Sequence, residues 1–451
     1  MLHGPNRRIS PIVHTREILR IALPAIVSNI TTPLLGLVDV AITGHLGSAS
    51  YIGAIALGGT LFSTLYMLFG FLRMGTSGLT AQAFGASDRK AQATALYRAL
   101  SIALTGGVLV LCIGRFLIGP ALELMDGSDG FTRTLAGQYC RIGMWGAPAV
   151  LASFALSGWF LGMQNSRAPM WMAIVTNLVN ISVSVLLVYG LGWKIEGVAA
   201  GTVTAQWTGA LFGLIVALRH FRPERVALSK IFVRGSLKGY FKLHFDIFLR
   251  TCCLVAVTLW FTHAGASAGV DILAANALLL QLFFLFSYFM DGFAFAGEAV
   301  GGKYWGAGSL RGVKGLLREL MLIGLGCAIL FSAVYAVGGE WIFRLLSDHP
   351  DVRRIAADYL PWAVALPLCG FMAFVLDGMM IGLTMTRGML EALFIASAVF
   401  FGAYFSGEQL SLANHGLWLA FDAYLAVRGA VQFALLRRQL RKSADCADYS
   451  K

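Results

Sequence analysis

The chain reads as an all-α polytopic membrane protein, with twelve transmembrane helices in two six-helix lobes related by a parallel internal repeat. Three observations predict this. Only 13% of the 451 residues are charged while 57% are apolar, against roughly 25% charged in an average soluble domain, so too few polar groups exist to cover a water-exposed surface. The remaining charges bound a succession of uncharged windows of about 18 residues or more, the length that spans a bilayer core. The second half of the chain also repeats the first at a nearly constant offset.

The windows justify the helices in order. Eighteen uncharged residues separate Arg20 from Asp39, and 33 separate Asp39 from Arg73. Arg141 to Arg167 encloses 25, Arg167 to Lys194 encloses 26, and Glu196 to Arg219 encloses 22. In the second half, Arg250 to Asp271 encloses 20, Asp271 to Asp291 encloses 19, Glu319 to Glu340 encloses 20, and Asp358 to Asp377 encloses 18. With the weaker windows included, the spans fall near 18–43, 52–73, 93–115, 135–162, 170–190, 196–220, 243–264, 272–298, 314–337, 358–382, 389–406 and 413–436. The eleventh has the shortest window, 16 uncharged residues between Glu391 and Glu408.

The net charge of +12 would suit a nucleic-acid binder if the cations clustered on a soluble domain, but their distribution explains them otherwise. Counted loop by loop, 24 Lys and Arg fall on the side of the N-terminus and 7 on the other, with Arg73, Arg98, Arg250 and Arg428 inside spans. Cytoplasmic loops carry the excess of Lys and Arg, so both termini are expected in the cytoplasm and no nucleic-acid partner is expected. The first apolar stretch is full span length, unlike a cleavable signal peptide.

Shifting the chain by 221 residues lays FLRMGTSGLTAQAFGAS (71–87) over GFAFAGEAVGGKYWGAG (292–308). A shift of 220 lays SGWFLGMQNSR (157–167) over DGMMIGLTMTR (377–387), with Gly158, Gly162 and Arg167 on Gly378, Gly382 and Arg387. Each half has an even number of spans, so both insert in the same sense, as in parallel-repeat transporters. The expected division is an N-terminal lobe over 1–221, a basic cytoplasmic linker over 222–241, and a C-terminal lobe with its tail over 242–451.

Charges within a span are costly and mark pathways, relays or ion sites. At about 1.5 Å of rise per residue, Asp39, Asn177, Asn180, Ser184 and Thr202 fall at similar depth in the outer half of the first lobe, where they could line one polar pocket. Burial penalises the charged form of a carboxyl, which would poise Asp39 to bind a proton. Pro24 and Pro33 precede it in the same helix, and each removes a backbone hydrogen bond, so this span is the one most able to bend. The second lobe has its own set in the inner half. Asp246 and Arg250 stand one turn apart and are expected to pair, and Asp291 and Asp377 have no basic partner on their own helices. Glu298 and Arg73 read as snorkelling to the surface, and Asp422 and Arg428 as anchors of the last span.

No metal site is expected, since His45, His263 and His415 fall near span ends on different loops. The seven cysteines form no C-x-x-C pair and read as small packing residues. No catalytic cluster is visible, so an integral membrane enzyme is not expected, and a passive channel is a further rival.

The stretches LGLVDVAITGHLG (35–47), FLRMGTSGLTAQAFGA (71–86), GWFLGMQNSRAP (158–169), DGFAFAGEA (291–299), LDGMMIG (376–382) and NHGLWLA (414–420) resemble the multidrug and toxic compound extrusion (MATE) family, in its DinF branch. The resemblance implies twelve helices in two lobes. It also implies a monomeric exporter of amphipathic, often cationic compounds in a bacterial cytoplasmic membrane, working by alternating access. The driving force would be inward movement of protons or sodium, and no cofactor beyond that ion is implied. The family's first-helix aspartate falls on Asp39, its fifth-helix asparagine on Asn180 and its sixth-helix threonine on Thr202. Where the related pattern has a second aspartate, this chain has Ser184, which favours protons over sodium. The alternatives are sodium-coupled efflux and a lipid-linked precursor flippase of similar shape.

Overall fold

The computed structural model describes residues 11–44, 48–125, 130–224, 226 and 234–449. His45 lies outside them, as do Arg225 and residues 227–233 of the 222–241 linker and the side chain of Pro33, although its backbone is helical. The described residues form helices α1 (Pro11–Gly44), α2 (Ala49–Leu68), α3 (Phe71–Gly85), α4 (Arg89–Met125), α5 (Gly130–Gly143), α6 (Ala147–Gly162), α7 (Arg167–Val185) and α8 (Ile195–Val216). The second half contributes α9 (Arg234–Ser267), α10 (Val270–Gly306), α11 (Leu310–Leu346), α12 (Pro350–Gly382), α13 (Thr386–Gln409) and α14 (Ala413–Tyr449). Among the described residues there is no β-strand.

Eleven stretches among the described residues, from Ser50–Gly85 to Ala413–Asp445, are long and apolar enough to cross a membrane. The 34-residue α1 encloses the charge-free window from Arg20 to Asp39 and completes twelve. Two spans are broken where the sequence suggested one helix. The second is α2 followed by α3, with the break at Phe69 and Gly70, and the fourth is α5 and α6 joined by a 3₁₀ turn at Met144–Gly146. Several helices outrun their charge-free windows: α4 begins on the exposed Arg89 and Lys90, whose charges reach water from a helix end. The eleventh span is a 24-residue helix, α13. Large apolar side chains such as Val108, Leu109 and Phe116 on α4 and Leu322, Ile329 and Leu330 on α11 are exposed, as a lipid-facing surface requires.

The duplication recurs as packing. In the first lobe a Cβ on Gly158 would collide with Arg73 O, and one on Gly162 would stand 2.7 Å from Ser77 O. In the second, a Cβ on Gly378 would collide with Ala294 O, and one on Gly382 would stand 2.5 Å from Glu298 O. Both pairs of contacts are related by the offsets found in the sequence. Two glycines one turn apart therefore let the fourth span of each lobe lie against the backbone of the second. The turns that follow repeat too: Ser87 (φ 57°) and Gly308 (φ 69°) occupy one position, Gln164 (φ 62°) and Thr384 (φ 54°) the other. Each left-handed residue closes its helix with a six-residue backbone hydrogen bond, such as Asp88 N to Ala83 O and Ser309 N to Tyr304 O, both 2.9 Å.

Packing divides the chain differently from the repeat. One compact unit runs from Val27 to His244, and the other joins the residues up to Ile26 to those from Phe245 onward. Within the latter, Ala22 and Ile26 of α1 fill the space above Gly292 of α10. Nearer the start of the helix, Glu17 accepts from Lys303 Nζ at 2.8 Å and Tyr304 Oη at 3.0 Å, and Thr15 Oγ1 donates to Glu319 at 2.8 Å. Within the former, His244 near the start of α9 lies over Gly75 and edge-on to Phe71 of α3.

Candidate functional site

The first-half unit builds its site from four helices. On α7, Asn177, Asn180 and Ser184 are spaced three and four residues apart and so share one face. Helix α8 approaches that face because Gly201, Ala205, Gly209 and Gly213 recur every fourth residue. A Cβ on Gly201 would stand 2.9 Å from Ser184 N, and one on Gly213 2.6 Å from Met172 Sδ. This closeness lets Asn180 Nδ2 donate to Thr202 Oγ1 at 2.9 Å, while Thr202 Oγ1 donates to Val198 O at 3.0 Å. One turn earlier, Asn177 Nδ2 donates to the α1 backbone at Thr31 O, 2.8 Å away.

Asp39 on α1 is only 5% exposed, and its carboxyl lies beside the side chains of Asn180 and Thr202. Of the five residues expected to cluster, the structure brings three together and sets the other two along α7. Asp39, Asn180 and Thr202 form the centre, Ser184 sits one turn along α7 against Gly201, and Asn177 ties the same helix to α1. Asn180 and Ser184 are fully buried, and neither Asn180 Oδ1 nor Ser184 Oγ has a hydrogen-bond partner among the described residues. The sequence reading missed Tyr139 of α5, which is buried beside Asp39 and Thr202. A buried tyrosine hydroxyl needs a partner, and its place within a span was the available signal. Beyond Ser184 the helix widens into a π turn over Leu186–Gly190, a distortion common near functional sites.

The second-half cluster is of a different kind. Asp377 on α12 accepts at Oδ2 from Arg250 Nη2 of α9 and from Arg428 Nη2 of α14. Its Oδ1 accepts from Gln432 Nε2 at 2.6 Å. The expected pairing of Asp246 with Arg250 gives way to this arrangement: Arg250 forms its ion pair with Asp377, and Asp246 accepts from Thr386 Oγ1 at 3.3 Å. Asp291 of α10 lies within electrostatic reach of Arg428. Arg428 is therefore a member of the cluster rather than an anchor. Tyr424, Arg428 and Gln432 recur every four residues on one face of α14, a pattern that could have revealed them. Asp422 and Glu298 also depart from the reading, at 5% and 1% exposure. Neither Asp422 oxygen has a hydrogen-bond partner among the described residues.

Among the described residues no group of three or more His, Cys, Asp or Glu is placed to hold a metal ion. His415 instead accepts from Trp362 Nε1 at 3.0 Å.

The MatE family model matches residues 24–186 and again residues 243–403, once in each half. The DNA damage-inducible protein F of Escherichia coli (strain K12) is 39% identical over 428 residues, covering 94% of this chain and 93% of that protein. A MATE transporter from Vibrio cholerae, VcmN in the bent form, superposes with a TM-score of 0.86 at 17% identity, covering 96% of this chain and 98% of its own. A MATE structure in the straight conformation gives 0.86 at 18% identity, covering 96% and 97%.

Proposed function

Because the chain belongs to the MatE family of multidrug and toxin efflux transporters, we propose that it exports amphipathic, cationic compounds in exchange for protons. The exchange proceeds by alternating access across a bacterial cytoplasmic membrane, with both termini in the cytoplasm. The observation that carries the proton reading is the Asp39 carboxyl, 5% exposed among the uncharged side chains of Asn180, Thr202 and Tyr139.

The bond inventory supports a carboxyl that changes state there. Ionised, Asp39 accepts from Asn180 Nδ2 and competes with Val198 O for the single hydroxyl hydrogen of Thr202. Protonated, it becomes a donor, and the buried Asn180 Oδ1 offers an acceptor. The amide thus serves both states, and the exchange redirects the hydrogen bonds that tie α1 to α7 and α8. Protonation from outside weakens the hold on cargo through α1, the helix that carries Pro24 and Pro33, and loss of the proton to the cytoplasm resets it. Solved MATE proteins have been captured in bent and straight forms, which is in keeping with such a cycle.

The test is reconstitution into liposomes with an imposed proton or sodium gradient while a fluorescent cation is followed. The wild-type protein should move the dye under a proton gradient, and Asp39→Asn should insert normally yet abolish that movement. Unchanged movement in Asp39→Asn, or transport driven by sodium alone, rejects proton coupling through this residue.

A further inference from the structure

A groove between α11, α12 and α14, with a cavity volume of about 560 Å³, belongs to neither carboxyl cluster. Four cations line it: Lys314 and Arg318 on the first turns of α11, and Arg437 and Arg441 on the last turns of α14. Each pair is spaced four residues apart, one helical turn or about 6 Å of rise. No acidic residue lines the groove. None of the four cations has an ion pair or hydrogen bond among the described residues. Other cations of the same unit do have partners: Lys303 pairs with Glu17, Arg387 with Glu391, and Arg250 and Arg428 with Asp377.

Above the cations the wall changes character. Leu322 and Leu325 follow on α11, both exposed, and Phe371 of α12 and Phe433 of α14 complete an apolar floor. Charge at one end and hydrocarbon along the length is the outline of an amphiphile with an anionic head. Basic residues near a helix end commonly reach for headgroups. Here four of them from two helices converge on one cavity, unneutralised and continuous with an apolar channel, which is the layout of a headgroup pocket between helices.

We propose that this groove binds an anionic phospholipid, with its phosphate among Lys314, Arg318, Arg437 and Arg441 and the upper part of a chain along Leu322, Leu325, Phe371 and Phe433. The leaflet follows from the orientation proposed above. The groove opens at the membrane face that carries the end of α14, so the lipid is one of the cytoplasmic leaflet.

The full chain, purified in detergent, is exposed to equal amounts of dioleoyl-phosphatidylglycerol and dioleoyl-phosphatidylcholine, and retained lipids are counted by native mass spectrometry. The wild-type protein should prefer the glycerol lipid by on the order of tenfold or more. The quadruple variant Lys314→Gln/Arg318→Gln/Arg437→Gln/Arg441→Gln should bring the preference close to parity. Arg353→Gln/Arg354→Gln, at the opposite end of the spans, should leave it unchanged. If the quadruple variant does not fold, judged by its thermal melt, Arg318→Gln/Arg437→Gln carries the test with a several-fold loss. A preference that survives these changes overturns the proposal, as does an equal fall in the control. Displacement by soluble glycerol phosphate as effective as by the whole lipid would assign the groove to a free anion instead. The readout is bound lipid, so a failure of proton coupling leaves it unaffected.

Discussion

Two buried aspartates, Asp39 and Asp377, sit in corresponding halves of a duplicated chain and face opposite company. Asp39 meets neutral dipoles: an amide, a threonine hydroxyl and a neighbouring tyrosine. Asp377 meets two guanidinium groups and an amide. A carboxyl among dipoles can exchange a proton by redirecting hydrogen bonds. A carboxyl that joins two buried cations cannot be neutralised without leaving them uncompensated, and buried ion pairs are costly to break from one side. Duplication supplied two equivalent frames, and one holds a carboxyl among uncharged dipoles while the other holds a carboxyl that cross-links α9, α12 and α14.

The contrast can be broken most directly by neutralising each acid in turn. Asp377→Asn should lower stability by about 3–5 kcal/mol, the usual cost of stranding a buried charge, whereas Asp39→Asn should change it by no more than about 1 kcal/mol. Thermal unfolding in dodecylmaltoside micelles measures both, and equal melting points would erase the distinction. A second comparison asks whether the two frames are as alike as their glycine contacts suggest. Gly158→Ala and Gly378→Ala each push a methyl into a facing backbone carbonyl and should each cost about 1–3 kcal/mol. A marked inequality would show that one lobe can yield where the other cannot. The smallest effect lies in the turn after the second span of each lobe. There Ser87→Gly should gain, and Gly308→Ser lose, about 1 kcal/mol, because a side chain is strained at positive φ. Opposite shifts in the same melting assay would confirm that the two turns are equivalent.

The spans could be read from sequence because a bilayer tolerates so few charges that their positions alone mark the helix ends. The first-lobe residues share a level for a related reason: depth is linear in residue number along a helix, so the sequence alone sets Asp39, Asn177, Asn180, Ser184 and Thr202 at similar depth. Rotation about the helix axis is not recorded in hydropathy. Arg250 therefore reads as the partner of Asp246 one turn away, whereas its partner Asp377 lies 127 positions on. Tyr139 goes unnoticed and Arg428 reads as an anchor for the same reason, since what a helix face meets depends on neighbours distant in the chain. The repeat marks which segments are copies, but packing decides which segments cohere, and in α1 and α9 the two criteria part.

That parting bears on what each half could do if separated. Severed in the 222–241 stretch, the polypeptide would give two pieces, each deprived of the helix start it packs against. The later piece would lack Ala22 and Ile26 over Gly292, and the earlier one would lack His244 over Gly75. Produced singly, such pieces should be quickly degraded, and produced together in one cell they should rebuild a working exporter, because each carries the missing portion of the other.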